Sequence, residues 1–377
     1  MLSRVMMIAG EASGDLHGAG VVRELKTLRP SVEIYGIGGD RMRNEGMELV
    51  EHVSAVSFMG FLEVVRHLPV ITSIEKKLER MLVDRRPNVV VLIDYPGFNL
   101  RFARKAKRQG IRILYYISPQ VWAWNKRRVK KMKGLVDQMK VVFPFEEESY
   151  KRDGIDVEFV GHPLVETVES SSTRGEFFAM TKLEGGRKLL ALFPGSRKQE
   201  VEKILPTMIS AALRLQQSNG VQVAIGAAPA LNAGFLRRFI PAGAAITLVE
   251  NGTHDLMHHA DAAIVTSGTA TLEAGWFCTP MVVVYKTSPL TYLIGRMLVD
   301  VPHIGLVNIV AGKGVVPEFI QHEMSVENLV RAVGKIIEND EYASAMRSEL
   351  SVIKTKLGGP GASMRVAESI IALGEAA

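Results

Sequence analysis

The sequence predicts an α/β protein of two Rossmann-like, doubly wound domains facing across a cleft, followed by C-terminal helices. Three observations lead there. Short apolar runs alternate with helix-forming stretches. The runs are apolar throughout rather than every second residue, as in a parallel sheet covered on both faces. The pattern also restarts half-way along the 377 residues, a length that suits two domains better than one.

The run VMMIA (5–9) reads as the first strand, because it leads straight into glycines and is too short for a secretory leader. GEASGDLHGAG (10–20) reads as a glycine-rich turn and VVRELKTL (21–28) as a helix. The strand VEIYGIG precedes a short helix near Arg41–Gly46. NVVVLID, IRILYYI, QMKVVFPF and VEFVGHP are further strands, with the helix FARKAKRQG ending on Gly110. The polar stretch ETVESSSTRGEFFAMTKLEGGRK has the composition of an interdomain connection. KLLALFP, VQVAIGA, AITLV, DAAIVT and MVVVY are the strands of the second half, and a long helix follows GSR. From SVENLVRAVGKII onward the chain is helical, broken by GGPG at 358–361. The expected domains are 1–165, 166–345 and a helical tail, 346–377, packing back on an N-terminal domain of its own or a partner subunit.

Hydrophobic residues at 47% and charged residues at 23% describe a soluble globular chain, and no apolar run reaches the ~20 residues of a membrane span. The net charge of +6 suits acidic partners: nucleic acid, an anionic membrane surface or phosphorylated substrates. A single cysteine, Cys278, excludes an internal disulfide, fits a reducing cytoplasm and reads as a buried small hydrophobe.

Two strand–turn–helix junctions in the second half suit phosphate. In FPGSR, Gly195 and Ser196 form the turn and Arg197 adds a cation with a bidentate donor fork. In TSGTATLE, Ser267, Gly268, Thr269, Ala270 and Thr271 offer hydroxyls and close backbone approach, and Glu273 in the first helical turn can take two sugar hydroxyls. Neither is a dinucleotide fingerprint or a Walker sequence. The pair suggests a nucleoside diphosphate lying across two helix N-termini.

GEASGD, IDYPGFN, SPQVWAW, VGHP, FPGSR, TSGTATLE, NIVAGKGVVPEFIQ and PGAS occur in this order, and the set resembles the lipid A disaccharide synthase family over nearly the whole chain. The resemblance implies the two-domain GT-B glycosyltransferase fold and a Gram-negative lipid A pathway. It implies transfer of diacylglucosamine from UDP-2,3-diacylglucosamine to the 6-hydroxyl of 2,3-diacylglucosamine 1-phosphate, giving a β-1′,6 disaccharide and UDP. The N-terminal domain would take the acceptor and lipid, and the second domain the UDP-sugar. The resemblance places UDP-sugar contacts at Arg197, Ser267–Thr271, Glu273 and Asn308, with Glu318 and Gln321 as weaker carry-overs. Gly97 stands where many relatives have aspartate, and Val307 where they have proline. Relatives can exchange C-terminal helices, so a homodimer formed that way is an expectation.

Inverting transfer needs a base for the acceptor hydroxyl and stabilisation of the departing diphosphate. Asp94, ending the strand VVVLI, is the expected base; the resemblance points to it as well. Glu11 and Asp15 are the other carboxylate candidates, holding hydroxyls or assisting Asp94. No D-x-D triplet occurs, so metal-independent activity is expected; no cofactor is expected either. His254, Asp255, His258 and His259 cluster without a metal-binding spacing and read as a surface helix, while His162 reads as shaping the cleft or hinge.

Phe58, Met59, Phe61, Leu62, Val65 and Leu68, flanked by basic residues, read as a lipid-facing surface, with a buried core helix as the alternative. That surface implies a cytoplasmic protein peripheral on the inner face of the inner membrane. WNKRRVKKMKG (124–134) suits anionic headgroups. Two other functions compete: a UDP-sugar 2-epimerase of the same architecture, and a basic nucleic-acid-binding protein, for which no recognisable motif is present.

Overall fold

The structure, a computed structural model, describes residues 1–56, 67–118, 132–229, 231–288, 292 and 302–376. They fall into two compact units, Met1–Glu166 with Leu357–Ala377, and Thr167–Lys356.

The first unit runs β1 (Arg4–Ala9), α1 (Ala12–Leu28), β2 (Glu33–Gly38), α2 (Asp40–Asn44), β3 (Glu48–His52), α3 (Leu68–Asp84), β4 (Val89–Ile93), α4 (Pro96–Arg108), β5 (Arg112–Tyr116), β6 (Gln138–Val141), α5 (Pro144–Arg152) and β7 (Glu158–Phe159). Its described strands form one parallel sheet in the order β3-β2-β1-β4-β5-β6-β7. The direction of winding reverses between β1 and β4. The crevice at their carboxyl ends is therefore the switch point, where such sheets take ligands.

The second unit runs α6 (Arg174–Thr181), β8 (Leu189–Phe193), α7 (Lys198–Asn219), β9 (Gln222–Gly226), α8 (Ala233–Arg237), β10 (Ile246–Val249), α9 (Thr253–His259), β11 (Ala262–Thr266), α10 (Thr269–Trp276), β12 (Met281–Tyr285), α11 (Leu306–Ala311), β13 (Glu318–Ile320), α12 (Val326–Glu338), α13 (Asp340–Leu350) and α14 (Val352–Lys356). Its parallel sheet is ordered β10-β9-β8-β11-β12-β13, with the switch point between β8 and β11. The chain then returns to the first unit as α15 (Ala362–Glu375).

The apolar runs become strands buried on both faces. In the first sheet Met6, Ile8, Tyr35, Ile37, Val90 and Leu92 pack against Ile74, Leu78 and Leu82 of α3 and Phe98 and Phe102 of α4. The opposite face is covered by α1 and α15. Here the glycine-rich stretch departs from expectation. It is not a loop: helix α1 begins at Ala12, so Gly14, Gly18 and Gly20 are helical. Each glycine costs a helix about 1 kcal/mol relative to alanine, and close packing is the return. A Cβ on Gly14 would lie 3.2 Å from the Cβ of Ala9, and one on Gly18 would lie 2.7 Å from Met42 Sδ. Gly20 faces α15 rather than the sheet; its Cβ would fall 2.4 Å from Ser363 Oγ.

The helical tail divides differently from the expected 346–377. Helices α13 and α14 stay with the second unit, and only the chain from Leu357 joins the first. There α15 packs on α1 of its own chain. Glu166 accepts from the backbone N–H of Ser363 at 2.9 Å and from its hydroxyl, and Arg365 donates to the Val160 carbonyl at 2.8 Å. Cys278 is only partly buried and sits at φ +55°, just beyond α10.

The polar connection is tied to the second unit. Asp255 of α9 accepts from the Ser170 hydroxyl at 2.7 Å, from the Ser171 N–H at 2.9 Å and hydroxyl at 3.1 Å, and from the Ser172 N–H at 3.0 Å. Burial works to raise its pKa, but these hydrogen bonds outweigh it and bring it down to about 2. His258 stacks on Phe277, and His259 Nε2 lies 2.8 Å from the Ser172 carbonyl, so the histidine cluster is packing. An unfolded aspartate titrates near ~3.9. The folded value is lower, so the stabilisation is present at neutral pH and lost as pH falls from about 4 to about 2. Replacing Asp255 with asparagine is expected to lower stability by about 2 kcal/mol at neutral pH and to flatten its fall in that acidic window. Thermal unfolding of both proteins between pH 6 and pH 2 measures this.

Candidate active site

At the first switch point, Ala9 of β1 pairs with Ile93 of β4, so the next residues, Gly10 and Asp94, are neighbours at the sheet edge. Asp94 and Tyr95 both adopt the left-handed conformation, φ +46° and +47°. For side-chain-bearing residues this costs about 1–2 kcal/mol each. Several hydrogen bonds hold it. The Asp94 carbonyl accepts from Asn99 Nδ2 at 2.7 Å and from the Tyr115 hydroxyl at 2.5 Å. The Asp94 N–H donates to the Tyr116 carbonyl at 3.0 Å, and the Tyr95 hydroxyl to the Val56 carbonyl at 2.6 Å. The Tyr95 ring occupies the space over Gly10, where an added Cβ would fall 2.0 Å from Tyr95 Cγ. The first glycine of GEASGD is thus required by the tyrosine of IDYPGFN.

Glu11 is the N-cap residue of α1, at the same edge. Burial, and then the charge of Glu11, push the Asp94 carboxyl up to about 6, against a lowering hydrogen bond from the Tyr95 backbone. This is the environment of a carboxylate that can exchange a proton near neutral pH.

Asp15 has a different task from the one expected. It is 6% exposed, and its carboxylate accepts from the backbone N–H groups of Gly39 at 2.6 Å, Met42 at 3.1 Å and Arg41 at 3.2 Å. It caps the head of α2 and does not face the crevice as a hydroxyl-holding group. The neighbouring His17 lies edge-on to His162, ring centroids 6.0 Å apart. Burial holds both neutral, lowering His17 to about 4 and His162 to about 3, with smaller contributions from the charges of Arg41 and His17 respectively. Gly97 carries no carboxylate, and a Cβ there would meet open space.

At the second switch point, Phe193 of β8 pairs with Val265 of β11. The turns after these strands carry the expected phosphate residues. Gly195 has φ +101° and Gly268 φ +149°, backbone shapes that favour glycine. Ser196 and Thr269 are exposed, and Ala270 is partly buried. Arg197 is the N-cap residue of α7, exposed, with Nη1 3.1 Å from Glu200 Oε1. The other hydroxyls are committed inward. Ser267 donates to the Ile304 carbonyl and Thr271 to the Gly268 carbonyl, each at 2.8 Å. Glu273 is partly buried on α10, its carboxyl has no hydrogen-bond partner among the described residues, and burial pushes it up to about 7.

The carry-overs beyond this turn make hydrogen bonds within the protein. Asn308 is 0% exposed and uses its full complement of hydrogen bonds inside the protein. Nδ2 donates to the Val316 carbonyl and to Glu318 Oε1, both at 2.8 Å; Oδ1 accepts from the N–H groups of Val315 at 2.8 Å and Val316 at 3.0 Å. Glu318 accepts from the N–H groups of Ile304 at 2.8 Å and Gly305 at 3.0 Å, capping α11. Gln321 Oε1 accepts from the Thr287 N–H at 3.1 Å. Together they brace the edge of the second sheet.

Phe58, Met59, Phe61, Leu62 and Val65 lie outside the described residues, as do Trp122, Trp124 and most of the basic run. Leu68 begins α3 and is 40% exposed. Among the described residues no helix is long and apolar enough to cross a membrane. Tyr95, Asn99 and Tyr115 shape the site, yet nothing in the sequence reading assigned them a role. The one available signal was Tyr95 preceding Pro96, since a residue before proline is pushed out of the helical region.

A sequence profile described as Lipid-A-disaccharide synthetase matches residues 5–365. The lipid-A-disaccharide synthase of Trichlorobacter lovleyi is 44% identical over 374 residues, covering 99% of this chain and 98% of that protein. That of Geobacter sulfurreducens is 44% identical over 370 residues, covering 98% and 96%. Among solved structures, the UDP-GlcNAc 2-epimerase of Neisseria meningitidis bound to UDP-GlcNAc has a TM-score of 0.68 at 14% identity, covering 98% of this chain and 100% of that one. A calicheamicin glycosyltransferase has a TM-score of 0.63 at 15% identity, covering 99% and 98%. The two structures speak to the fold alone.

Asp15→Asn removes the charge from a carboxylate bonded to three backbone amides, two of them buried. We expect a loss of about 1–3 kcal/mol and faster hydrogen exchange in the peptide spanning residues 38–45. Mass-spectrometric exchange reads both; unchanged protection there would return Asp15 to the list of substrate-facing groups.

Proposed function

From its membership of the lipid-A-disaccharide synthase family, to which this chain belongs as a glycosyltransferase, we propose that it transfers 2,3-diacylglucosamine from its UDP derivative to the 6-hydroxyl of 2,3-diacylglucosamine 1-phosphate. The observation that carries the mechanism is Asp94, fixed in a strained turn at a switch point and raised to about 6. The acceptor oxygen attacks the donor anomeric carbon as its proton passes to the Asp94 carboxylate. The bond from that carbon to the diphosphate breaks on the opposite face, its electron pair leaves with UDP, and the configuration inverts from α to β. Glu11 supports Asp94 by keeping its proton affinity high.

Arg197 and the heads of α7 and α10 take the charge that develops on the diphosphate. The exposed Ser196 and Thr269 suit its outer oxygens. Glu273, with no partner of its own among the described residues, takes hydroxyls of the ribose. A protein of similar fold holds UDP-GlcNAc, in keeping with a UDP-sugar on this side. These charges supply by themselves what a metal supplies in other nucleotide-sugar transferases, so transfer is metal-independent. The apolar side chains of 58–68 are assigned to acyl chains and the membrane surface by sequence alone. The 2-epimerase reading rests on a fold likeness at 14% identity, against 44% for the synthases.

Asp94→Asn is expected to reduce kcat by about 10²–10⁴ while leaving UDP affinity within twofold, measured by product mass spectrometry and calorimetry. Because the base must be deprotonated, the wild-type rate should rise with pH through about 6 and level off above it. Activity should persist in excess chelator. Loss that Mg²⁺ or Mn²⁺ restores would overturn the metal-free mechanism.

A further inference from the structure

The turn at Gly195 and the head of α7 form an anion cradle that already contains a carboxylate. Glu200, in the first turn of α7, reaches back toward it. Its Oε1 lies 3.1 Å from Arg197 Nη1, and its Oε2 is 3.3 Å from where a Cβ on Gly195 would stand. One oxygen thus occupies the cation and the other overhangs the glycine turn, the two features a diphosphate would use. Tyr285, at the end of β12, faces the same space. Burial raises its pKa first, then the charge of Glu200, and Arg197 opposes them. Thr266, at the end of β11 and 3% exposed, lies against the same turn through its methyl group, with Cγ2 3.5 Å from the missing Gly195 Cβ.

We propose that Glu200 is an internal stand-in for the donor's diphosphate: it occupies the anion cradle when no nucleotide is bound and lowers the affinity for UDP, so that the product leaves. The proposal rests on the reading that a UDP-sugar binds at this switch point. The Arg197–Glu200 pair joins residues one helical turn apart, with the arginine side chain 47% exposed. Such pairs are weak and screened by salt. A diphosphate carrying two or more charges therefore takes Arg197 away from Glu200 easily. The displaced carboxylate stays on the same helical turn and repels the bound anion at close range. The repulsion acts on donor and product alike. Its value to the enzyme lies in release of UDP, since product release limits many enzymes once chemistry is fast.

The test is calorimetric titration of the full-length protein with UDP and, separately, with uridine. We expect Glu200→Gln, which keeps the shape and removes the charge, to bind UDP roughly tenfold more tightly. Product inhibition by UDP should strengthen by the same factor. Uridine, lacking phosphate, should bind equally to both proteins. Glu202→Gln, a change of equal charge at an exposed position on the same helix, should leave UDP affinity unaltered. Glu200→Ala, measured alongside, gives the same reading should the glutamine variant fold poorly. Equal or weaker UDP binding by the Glu200 variants overturns the proposal and makes Glu200 a residue that positions Arg197. Absence of UDP binding by the wild-type protein overturns the nucleotide reading itself.

Discussion

Two donors, the amide of Asn99 and the hydroxyl of Tyr115, converge on the carbonyl oxygen of Asp94. The rest of the first crevice depends on that convergence. Without it, two consecutive non-glycine residues would not remain left-handed. With it, the chain leaves β4 in a sharp turn, Tyr95 lies across Gly10, and the carboxylate is held beside Glu11 in a poorly solvated place. The donors are themselves buried at 0% exposure, on α4 and β5, so the turn inherits the rigidity of the sheet. Strain in the backbone is here matched by hydrogen bonds, and Asn99 Nδ2 spans the turn by donating to the Ile93 carbonyl at 3.2 Å as well.

The two sheets share a winding order around their switch points and differ in what they place there. The first crevice gathers carboxylates, one of them raised in pKa. The second gathers an arginine, two helix heads and glycine turns, with the carboxylates of Glu200 and Glu273 beside them. Such a division suits a reaction in which one partner gives up a proton and the other departs as a multiply charged anion.

Much of this was legible in the sequence, and the omissions have physical reasons. The central strands were visible because burial on both faces demands unbroken apolar runs; VVVLI and AAIVT leave little choice. The edge strands β3 and β13 escaped notice because they are half-exposed, and ELVEH and EFI carry charge where a central strand would carry valine. The glycines of α1 misled because close packing and loop flexibility call for the same residue; only the neighbours, Ala9, Met42 and Ser363, tell them apart. Motif matching found Asn308 and Glu318 but not the hydrogen bonds they make within the protein, since a residue that braces a sheet edge recurs in a motif as faithfully as one that touches substrate. Asp15 is the same case.

The first unit is interrupted in sequence: its sheet is laid down by residues before 167, but one face is covered by α15, which comes last. During synthesis the first sheet therefore emerges from the ribosome with Val89 and the adjoining strands lacking part of their cover, while the second unit, Thr167–Lys356, is contiguous and can close on its own. The second unit can therefore close before the first, against the order of translation. The N-terminal sheet keeps an unfinished, apolar surface until α15 is available. A chain cut before residue 362 would hold a complete second unit and an incomplete first one, and would be a natural client for chaperones.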